Sequence, residues 1–106
     1  MQHTDAGLLF AALANSDRLA MIDALLDRDA PGTGLSISQV AEAAEVSRFT
    51  ASRGLAILRA AGLVNAERCG GVYRHWIELE AIIAIEDWAY SKTSRNGERS
   101  SAIQLD

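Results

Sequence analysis

Three arginines in one short segment are the residues of this sequence best suited to binding a charged ligand. Arg48, Arg53 and Arg59 lie between Val46 and Val64, a segment without aspartate or glutamate. Guanidinium groups form strong charge-assisted hydrogen bonds with phosphates, and in the DNA major groove they pair with guanine. The segment therefore predicts a surface for a polyanion.

The rest of the chain carries the opposite charge. The formal charge is −5 over residues 1–45, +4 over residues 46–76 and −3 over residues 77–106, which together give the net charge of −4. A basic region inside an acidic chain is the electrostatic pattern expected for local contact with nucleic acid. Solvated arginines are also common on helices, and that interpretation stays open here.

Length and composition indicate one globular domain. A chain of 106 residues is the size of a single domain. No apolar run approaches the roughly 20 residues that span a membrane. The apolar run Ala6 to Ala14 follows Asp5 rather than a cation, unlike a signal peptide. The single cysteine, Cys69, excludes an internal disulfide and fits a reducing compartment. We therefore expect a cytoplasmic protein without a membrane partner.

Apolar residues at helical spacing predict two helices in the first third of the chain. The first is expected from about Thr4 to Ala14. Ser16 is expected to cap the second through its hydroxyl. That helix must end before Pro31, because the residue preceding a proline is driven out of the helical region.

The next two predicted helices form a helix-turn-helix outline. Ser36 and Gln39 fit the capping-box pattern at the start of a short helix. After a tight turn at Glu45–Val46, Ser47 is expected to cap a longer helix, which ends at Gly62 in the left-handed conformation. Two helices joined by a turn of a few residues are typical of this motif.

Beyond Gly62 the period changes to two residues, which predicts a β-hairpin. Strands are expected at Leu63–Glu67 and Val72–Ile77, with two glycines in the turn. A last helix is expected at about Leu79–Tyr90. Residues 1–90 would then form the domain, and the polar residues 91–106 a mobile tail. The fold class that follows is mainly α with a β-hairpin wing, in the order α-α-α-α-β-β-α.

A helical wheel separates a core face of the fourth predicted helix from an outer face. The core face holds Ala51, Leu55, Leu58 and Gly62, and the outer face holds Phe49, Ser52, Arg53, Ala56 and Ala60. Small side chains on the outer face permit close approach to a DNA major groove. There Arg53 can pair with guanine and Phe49 can contact a thymine methyl group.

Four further arginines complete the predicted DNA-binding set. Arg48 and Arg59 lie at the edges of the outer face, where phosphate contacts are expected. Arg68 and Arg74 flank the hairpin turn, within reach of an adjacent minor groove or its phosphates. Each hairpin arginine is equally compatible with an ordinary surface position.

Other interpretations stay open for residues of the fourth helix. Phe49 can instead pack against the preceding helix, and Arg53 can simply be solvated. Thr50 points sideways on the wheel, which leaves its role open. Gly54 lowers helix stability by roughly 1 kcal/mol relative to alanine, so it indicates close helix packing or close approach of the backbone to a ligand.

The order of elements and three segments resemble the winged helix-turn-helix repressors of the ArsR/SmtB family. The segments are F-A-A-L-A-N-S-D-R-L-A-M-I-D-A-L, I-S-Q-V-A-E-A-A-E-V-S-R-F-T-A-S-R-G-L-A-I-L-R-A-A-G-L-V and R-H-W at 74–76, within about Leu8 to Tyr90. The resemblance implies a homodimer paired through its first and last helices, with the seam at Leu8, Leu9, Ile82, Ile85 and Trp88. It places the recognition-helix positions at Arg48, Phe49, Thr50, Ser52 and Arg53. Gly54 stands where the family usually has a histidine, so base readout is expected to differ.

The metal-binding spacings of that family are missing from this sequence. The third predicted helix starts with Leu35-Ser36-Ile37-Ser38 and has no thiol, and the last helix has three carboxylates but no histidine. Soft metals need thiolate or imidazole donors. The three such donors elsewhere in the chain, His3, Cys69 and His75, lack chelating spacing, so we expect no metal and no other cofactor. Cys69 beside Arg68 is either an incidental thiol or a redox-sensitive one.

These features together predict a homodimeric repressor that binds a palindromic operator in double-stranded DNA. A two-fold dimer places two reading helices about 34 Å apart, one turn of DNA. The sequence does not identify the inducer. No Ser/His/Asp or Cys/His constellation indicates an enzyme. The alternative is a winged-helix module that binds another protein instead of DNA.

Overall fold

The computed structural model describes residues 6–28 and 33–95, and it confirms the predicted order of elements. The elements are α1 (Ala6–Leu13), α2 (Ser16–Arg28), α3 (Ile37–Ala44), α4 (Arg48–Ala60), β1 (Val64–Cys69), β2 (Val72–Ile77) and α5 (Leu79–Arg95). The fold is mainly α-helical, with one antiparallel hairpin. The predicted loop at Pro31, the predicted start at Thr4 and residues 96–106 of the predicted tail lie outside the described residues.

Asn15, and not Ser16, caps α2. The Asn15 Oδ1 accepts a hydrogen bond from the Arg18 backbone N–H at 3.0 Å, and Ser16 is already the first helical residue. Asparagine satisfies a free N–H of the first turn as well as serine does, so the predicted cap was wrong by one residue. The Arg18 Nε in turn donates to the Ala12 carbonyl oxygen at 2.5 Å, which satisfies a free carbonyl at the end of α1.

Side-chain caps set the start of both helices of the helix-turn-helix, as predicted. The Ser36 Oγ accepts from the Gln39 backbone N–H at 3.2 Å, and the Gln39 Oε1 accepts from the Ser36 N–H at 2.8 Å. The Ser47 Oγ accepts from the Thr50 N–H at 3.0 Å. Between the helices, Glu45 adopts a left-handed φ of 59°, which ends α3 and redirects the chain into α4.

The hairpin has two distinct sides, because side chains alternate along each strand. One side, here called the α4 side, carries the pairs Val64–Ile77, Ala66–His75 and Arg68–Tyr73; the far side carries Asn65–Trp76, Glu67–Arg74 and Cys69–Val72. The first strand continues to Cys69, beyond its predicted end at Glu67. The turn contains Gly70 and Gly71, both with positive φ, as a tight hairpin turn requires.

The core is formed by α1 to α4, the base of the hairpin, Leu35 and Ala81 of α5. Its largest fully buried apolar side chains are Leu9, Met21, Leu25, Val40, Leu55, Leu58 and Leu63. Gly54 is buried on α4 against Met21, which supports the helix-packing interpretation of this glycine. Gly62 was assigned to the core face, but it is exposed, and with φ +83° it follows the end of α4.

The last helix packs against α1 and is longer than predicted. It extends to Arg95 rather than ending near Tyr90. The rings of Phe10 on α1 and Trp88 on α5 meet edge-to-face, with centroids 5.2 Å apart. Across the described ranges, every helix is too short or too polar to cross a membrane.

Candidate nucleic-acid interface

The outer face of α4 is open to solvent. Phe49 is 70% exposed and Ser52 and Arg53 are exposed, whereas Ala51 and Leu55 on the opposite face are fully buried. The Arg53 guanidinium carbon lies 5.5 Å from the centroid of the Phe49 ring, a cation–π distance. This geometry argues against Phe49 packing on the preceding helix, and it gives Arg53 a partner on its own helix.

The first turn of α4 contains residues with two different surroundings. Thr50 is half-buried, and its Oγ1 accepts a hydrogen bond from the Ser47 hydroxyl at 3.0 Å, so its side chain belongs to the helix cap. Arg48 is exposed and lines a groove of about 380 Å³ together with Ser36 and Tyr73. Arg48 therefore lies near both the start of α3 and the hairpin.

A second groove, of about 420 Å³, separates α4 from the α4 side of the hairpin. It is lined by Ile37, Ser52, Arg59, Ala66, Tyr73 and His75. The Arg68 guanidinium carbon lies 5.6 Å from the centroid of the Tyr73 ring, at the hairpin end of this groove. Ser52 and Arg59 of α4 thus line the same groove as Tyr73, on whose ring the Arg68 guanidinium stacks. The helix and the hairpin form one surface.

Arg74 is separated from the other predicted DNA-binding residues. It lies on the far side of the hairpin, opposite Glu67. There it is half-buried and lines a cavity of about 660 Å³ with Leu25 and Trp76. The strand register is the cause: Arg68 pairs with Tyr73, so the next residue of β2 must point to the other side. We therefore remove Arg74 from the candidate interface.

His75 belongs to this region, although sequence reasoning considered it only as an isolated metal donor. It is 1% exposed, with its Nδ1 3.0 Å from the Leu35 carbonyl oxygen and its Nε2 3.4 Å from the Arg59 Nη1. Burial lowers the pKa of His75, the charge of Arg59 lowers it further, and the hydrogen bond to Leu35 opposes both effects. The available signal was the strand period, which puts His75 on the same side as the buried Ile77.

The residues predicted for a dimer seam differ in their exposure. Leu8 is 51% exposed, Trp88 is exposed, and Ile82 and Ile85 are half-buried. The predicted place of Leu9 in the seam was wrong, because Leu9 is 1% exposed and packs in the core of its own chain. Four exposed apolar residues of these two helices, Leu8, Phe10, Ile83 and Trp88, are here called the α1–α5 patch; Leu79 and Tyr90 of α5 are exposed as well.

The remaining candidate donors are dispersed. Cys69 is exposed at the end of β1. Within residues 6–28 and 33–95, no group of three or more histidine, cysteine, aspartate or glutamate side chains is placed to hold a metal ion. His3 lies outside the described residues. The expected absence of a metal stays a prediction.

An exposed second helix of a helix-turn-helix, flanked by a β-hairpin, defines a winged helix-turn-helix protein. Comparison with known proteins agrees: a family model described as a helix-turn-helix domain matches residues 13–67, more than half of the chain. The chain belongs to the helix-turn-helix transcriptional regulators, and its fold is like that of ArsR-family winged helix-turn-helix proteins.

Individual relatives cover most of the chain. The uncharacterized HTH-type transcriptional regulator YbzH of Bacillus subtilis is 33% identical over an alignment of 90 residues, which covers 76% of this chain and 90% of that protein. HlyU from Vibrio cholerae is 32% identical with a TM-score of 0.62, over 76% of this chain and 84% of that one.

A third comparison supports the fold alone. The homodimeric winged helix-turn-helix DNA-binding domain of Mb0332 from Mycobacterium bovis, a possible ArsR-family regulator, is 24% identical. Its TM-score is 0.62, over 95% of this chain and 87% of that one. The likeness spans the helical body and the hairpin together, because nearly the whole chain is covered.

Proposed function

We propose that this protein is a homodimeric repressor that binds a palindromic operator in double-stranded DNA and is released by an inducing signal. The observation that carries the proposal is the exposed outer face of α4. There Phe49, Ser52 and Arg53 border the hairpin that bears Arg68, within a chain of net charge −4. A duplex is attracted to the region where this acidic chain is locally basic.

Base recognition is assigned to the centre of the outer face. A major groove accepts one α-helix, and the exposed alanines of α4 let its backbone approach the bases. Arg53 pairs with guanine through its O6 and N7 atoms, and Phe49 contacts a thymine methyl group. The Phe49 ring beneath the guanidinium restricts Arg53 before binding, which reduces the side-chain entropy lost in the complex.

Phosphate contacts are assigned to the periphery of the same surface. Arg48 lies at the start of α4, Arg59 near its end and Arg68 on the hairpin, and all three are exposed. Contacts at these positions fix the register of the protein on the duplex without reading sequence. They also make affinity dependent on salt, because each neutralised phosphate releases counterions.

Dimerisation is assigned to the α1–α5 patch. Exposed apolar and aromatic side chains on two packed helices, with Phe10 against Trp88, are typical of a protein interface. The homodimeric state of the Mb0332 domain, which has a similar fold, supports the dimeric state. A two-fold pair of α4 helices about 34 Å apart reads a palindrome with half-sites one DNA turn apart.

The test has two stages. Duplexes bound by the purified protein are selected from a random pool, and the enriched sequence is expected to be a palindrome. Affinity for that duplex is then measured by fluorescence anisotropy at increasing salt. Log affinity is expected to fall linearly with log salt, with a slope of about −0.9 for each neutralised phosphate.

Two results would contradict the proposal. Affinity that does not change with salt would exclude phosphate contact and favour the protein-binding module. Enrichment of a non-palindromic sequence by a monomer would exclude the dimeric arrangement. Repression itself is checked by in vitro transcription from a promoter that overlaps the selected duplex.

A further inference from the structure

His75 connects three parts of the fold at the inner end of the α4–hairpin groove. It lies on β2, its Nδ1 reaches the Leu35 carbonyl just before α3, and its Nε2 reaches Arg59 on α4. The backbones of Leu35 and His75 also bond each other in both directions, at 2.9 and 2.8 Å. These backbone hydrogen bonds fix the position of His75 relative to Leu35. His75 makes none of the DNA contacts proposed above.

The two partners determine the tautomer of the ring. A carbonyl oxygen only accepts, so the proton must be on Nδ1 to bond Leu35. A guanidinium only donates, so Nε2 must be unprotonated to accept from the Arg59 Nη1. Both contacts are satisfied only by the neutral Nδ1–H tautomer.

Arg59 is the solvent-exposed member of this chain of contacts, although it borders the groove that contains the buried ring. An unrestrained arginine loses substantial rotamer freedom when it is fixed on a phosphate. The contact between the Arg59 Nη1 and the His75 Nε2 reduces that loss, because it restricts the guanidinium before the duplex binds.

We propose that His75 is a positioning residue, whose neutral Nδ1–H ring aligns Arg59 for a phosphate of the bound duplex and couples the hairpin to the recognition helix. This assignment rests on the proposed DNA-binding function for its phosphate step. The tautomer and the contact with Arg59 are independent of DNA.

Protonation of the ring breaks this arrangement. A second proton occupies Nε2, which removes the acceptor for Arg59 and places an imidazolium beside a guanidinium. Among the described residues that line the groove, Arg59 and Tyr73 are the ionisable neighbours, while Ile37, Ser52 and Ala66 are uncharged. No carboxylate lines it to compensate the added charge. Arg59 is therefore released as the ring is protonated.

The first test uses the wild-type protein without DNA. Two-dimensional NMR that correlates the ring carbon-bound hydrogens with the ring nitrogens identifies which nitrogen carries the proton. The Nδ1–H tautomer is expected at neutral pH, and in Arg59→Ala the pKa of His75 is expected to rise, because a neighbouring positive charge is removed. An Nε2–H tautomer would overturn the proposal whatever the protein binds.

The second test is a double-mutant cycle on the selected duplex at pH 7.5. His75→Phe keeps the ring volume, and the Leu35 carbonyl keeps its backbone hydrogen bond from residue 75. Arg59→Ala is expected to reduce the magnitude of the salt slope by about 0.9. His75→Phe is expected to weaken binding when Arg59 is present and to have no further effect in Arg59→Ala.

Arg48→Ala provides the matched control, since Arg48 is also an exposed α4 arginine but lines the groove at the start of α3. Its effect and that of His75→Phe are expected to add. Equal losses from His75→Phe with and without Arg59 would overturn the proposal. If wild-type protein with the expected tautomer bound no duplex, the proposed function would fail and the phosphate step with it. Circular dichroism is used to check that each variant is folded. If His75→Phe does not fold, the tautomer measured in the wild-type protein tests the proposal.

Discussion

Gly54 on α4 and Met21 on α2 pack so closely that a Cβ atom at position 54 would lie 2.5 Å from the Met21 Cε and 2.7 Å from its Sδ. Met21 is fully buried, so a side chain at position 54 would have to displace its thioether end. The absence of a side chain on Gly54 therefore sets how closely the recognition helix approaches α2, and with it the position of Arg53 one residue earlier.

The first prediction concerns Gly54→Ala. Alanine favours the helix by roughly 1 kcal/mol, but overpacking against Met21 costs about 1–3 kcal/mol. We expect a net loss of about 1 kcal/mol in the free energy of unfolding, measured by urea denaturation. In a Met21→Ala background, where the contact is removed, Gly54→Ala is expected to stabilise. Stabilisation in both backgrounds would show that Met21 moves away freely.

The second prediction is a dependence of stability on pH. Burial lowers the pKa of His75, so the folded state binds fewer protons than the unfolded state below the usual histidine pKa of about 6.5. The stabilising contribution is present above that value and is lost as pH falls through the lowered pKa, by at most about 1.4 kcal/mol per pH unit.

The measurement is urea unfolding at pH 7.5 and pH 5.0 for the wild type and for His75→Phe. The other ionisable groups are the same in both proteins, so the difference between them isolates His75. The wild type is expected to lose more stability than the variant. Equal losses would mean that His75 accepts a proton without penalty in the folded protein.

The third prediction separates Arg53 from the peripheral arginines. Arg53→Ala is expected to reduce discrimination at one base position by about 1–3 kcal/mol. Competition binding with every single-base variant of the selected duplex measures this effect. Arg48→Ala is the control, with a uniform loss across all duplexes. A uniform loss for Arg53→Ala as well would reassign Arg53 to a phosphate.

The fourth prediction follows from the two sides of the hairpin. Arg68→Ala is expected to reduce the magnitude of the salt slope by about 0.9, as loss of one phosphate contact requires. Arg74→Ala, on the far side opposite Glu67, is expected to leave the slope unchanged. A reduced slope for Arg74→Ala would show that the duplex contacts both sides of the wing.

The fifth prediction tests the α1–α5 patch. Leu8→Glu places a charge in the proposed seam, and sedimentation equilibrium is expected to show a monomer with weakened operator binding. Leu26→Glu is the matched control, because Leu26 is 54% exposed on α2, outside the patch. A dimer that is unaffected by Leu8→Glu would move the interface to another surface.

Local features of the fold could be predicted from the sequence, because they depend on residues close to one another along the chain. The cap of α4 at Ser47 and the capping box at Ser36 and Gln39 each involve residues three positions apart. The outer face of α4 follows from helical periodicity alone, and Phe49 and Arg53 are exposed there. At the start of α2 the cap predicted at Ser16 lies one residue earlier, at Asn15, because the asparagine side chain satisfies a free N–H of the first turn equally well.

The amino-acid sequence by itself determined the helix-turn-helix, the wing and the basic region, since these depend on short-range pattern and on charge. Only the tertiary structure decided that Leu9 is buried while Phe10 is exposed, that Arg74 lies on the far side of the hairpin, and that His75 meets Arg59. The reason is physical. Helical or strand periodicity places a residue on one face of its element. Strand register and the packing of elements distant in sequence determine which face is buried and which side chains come into contact.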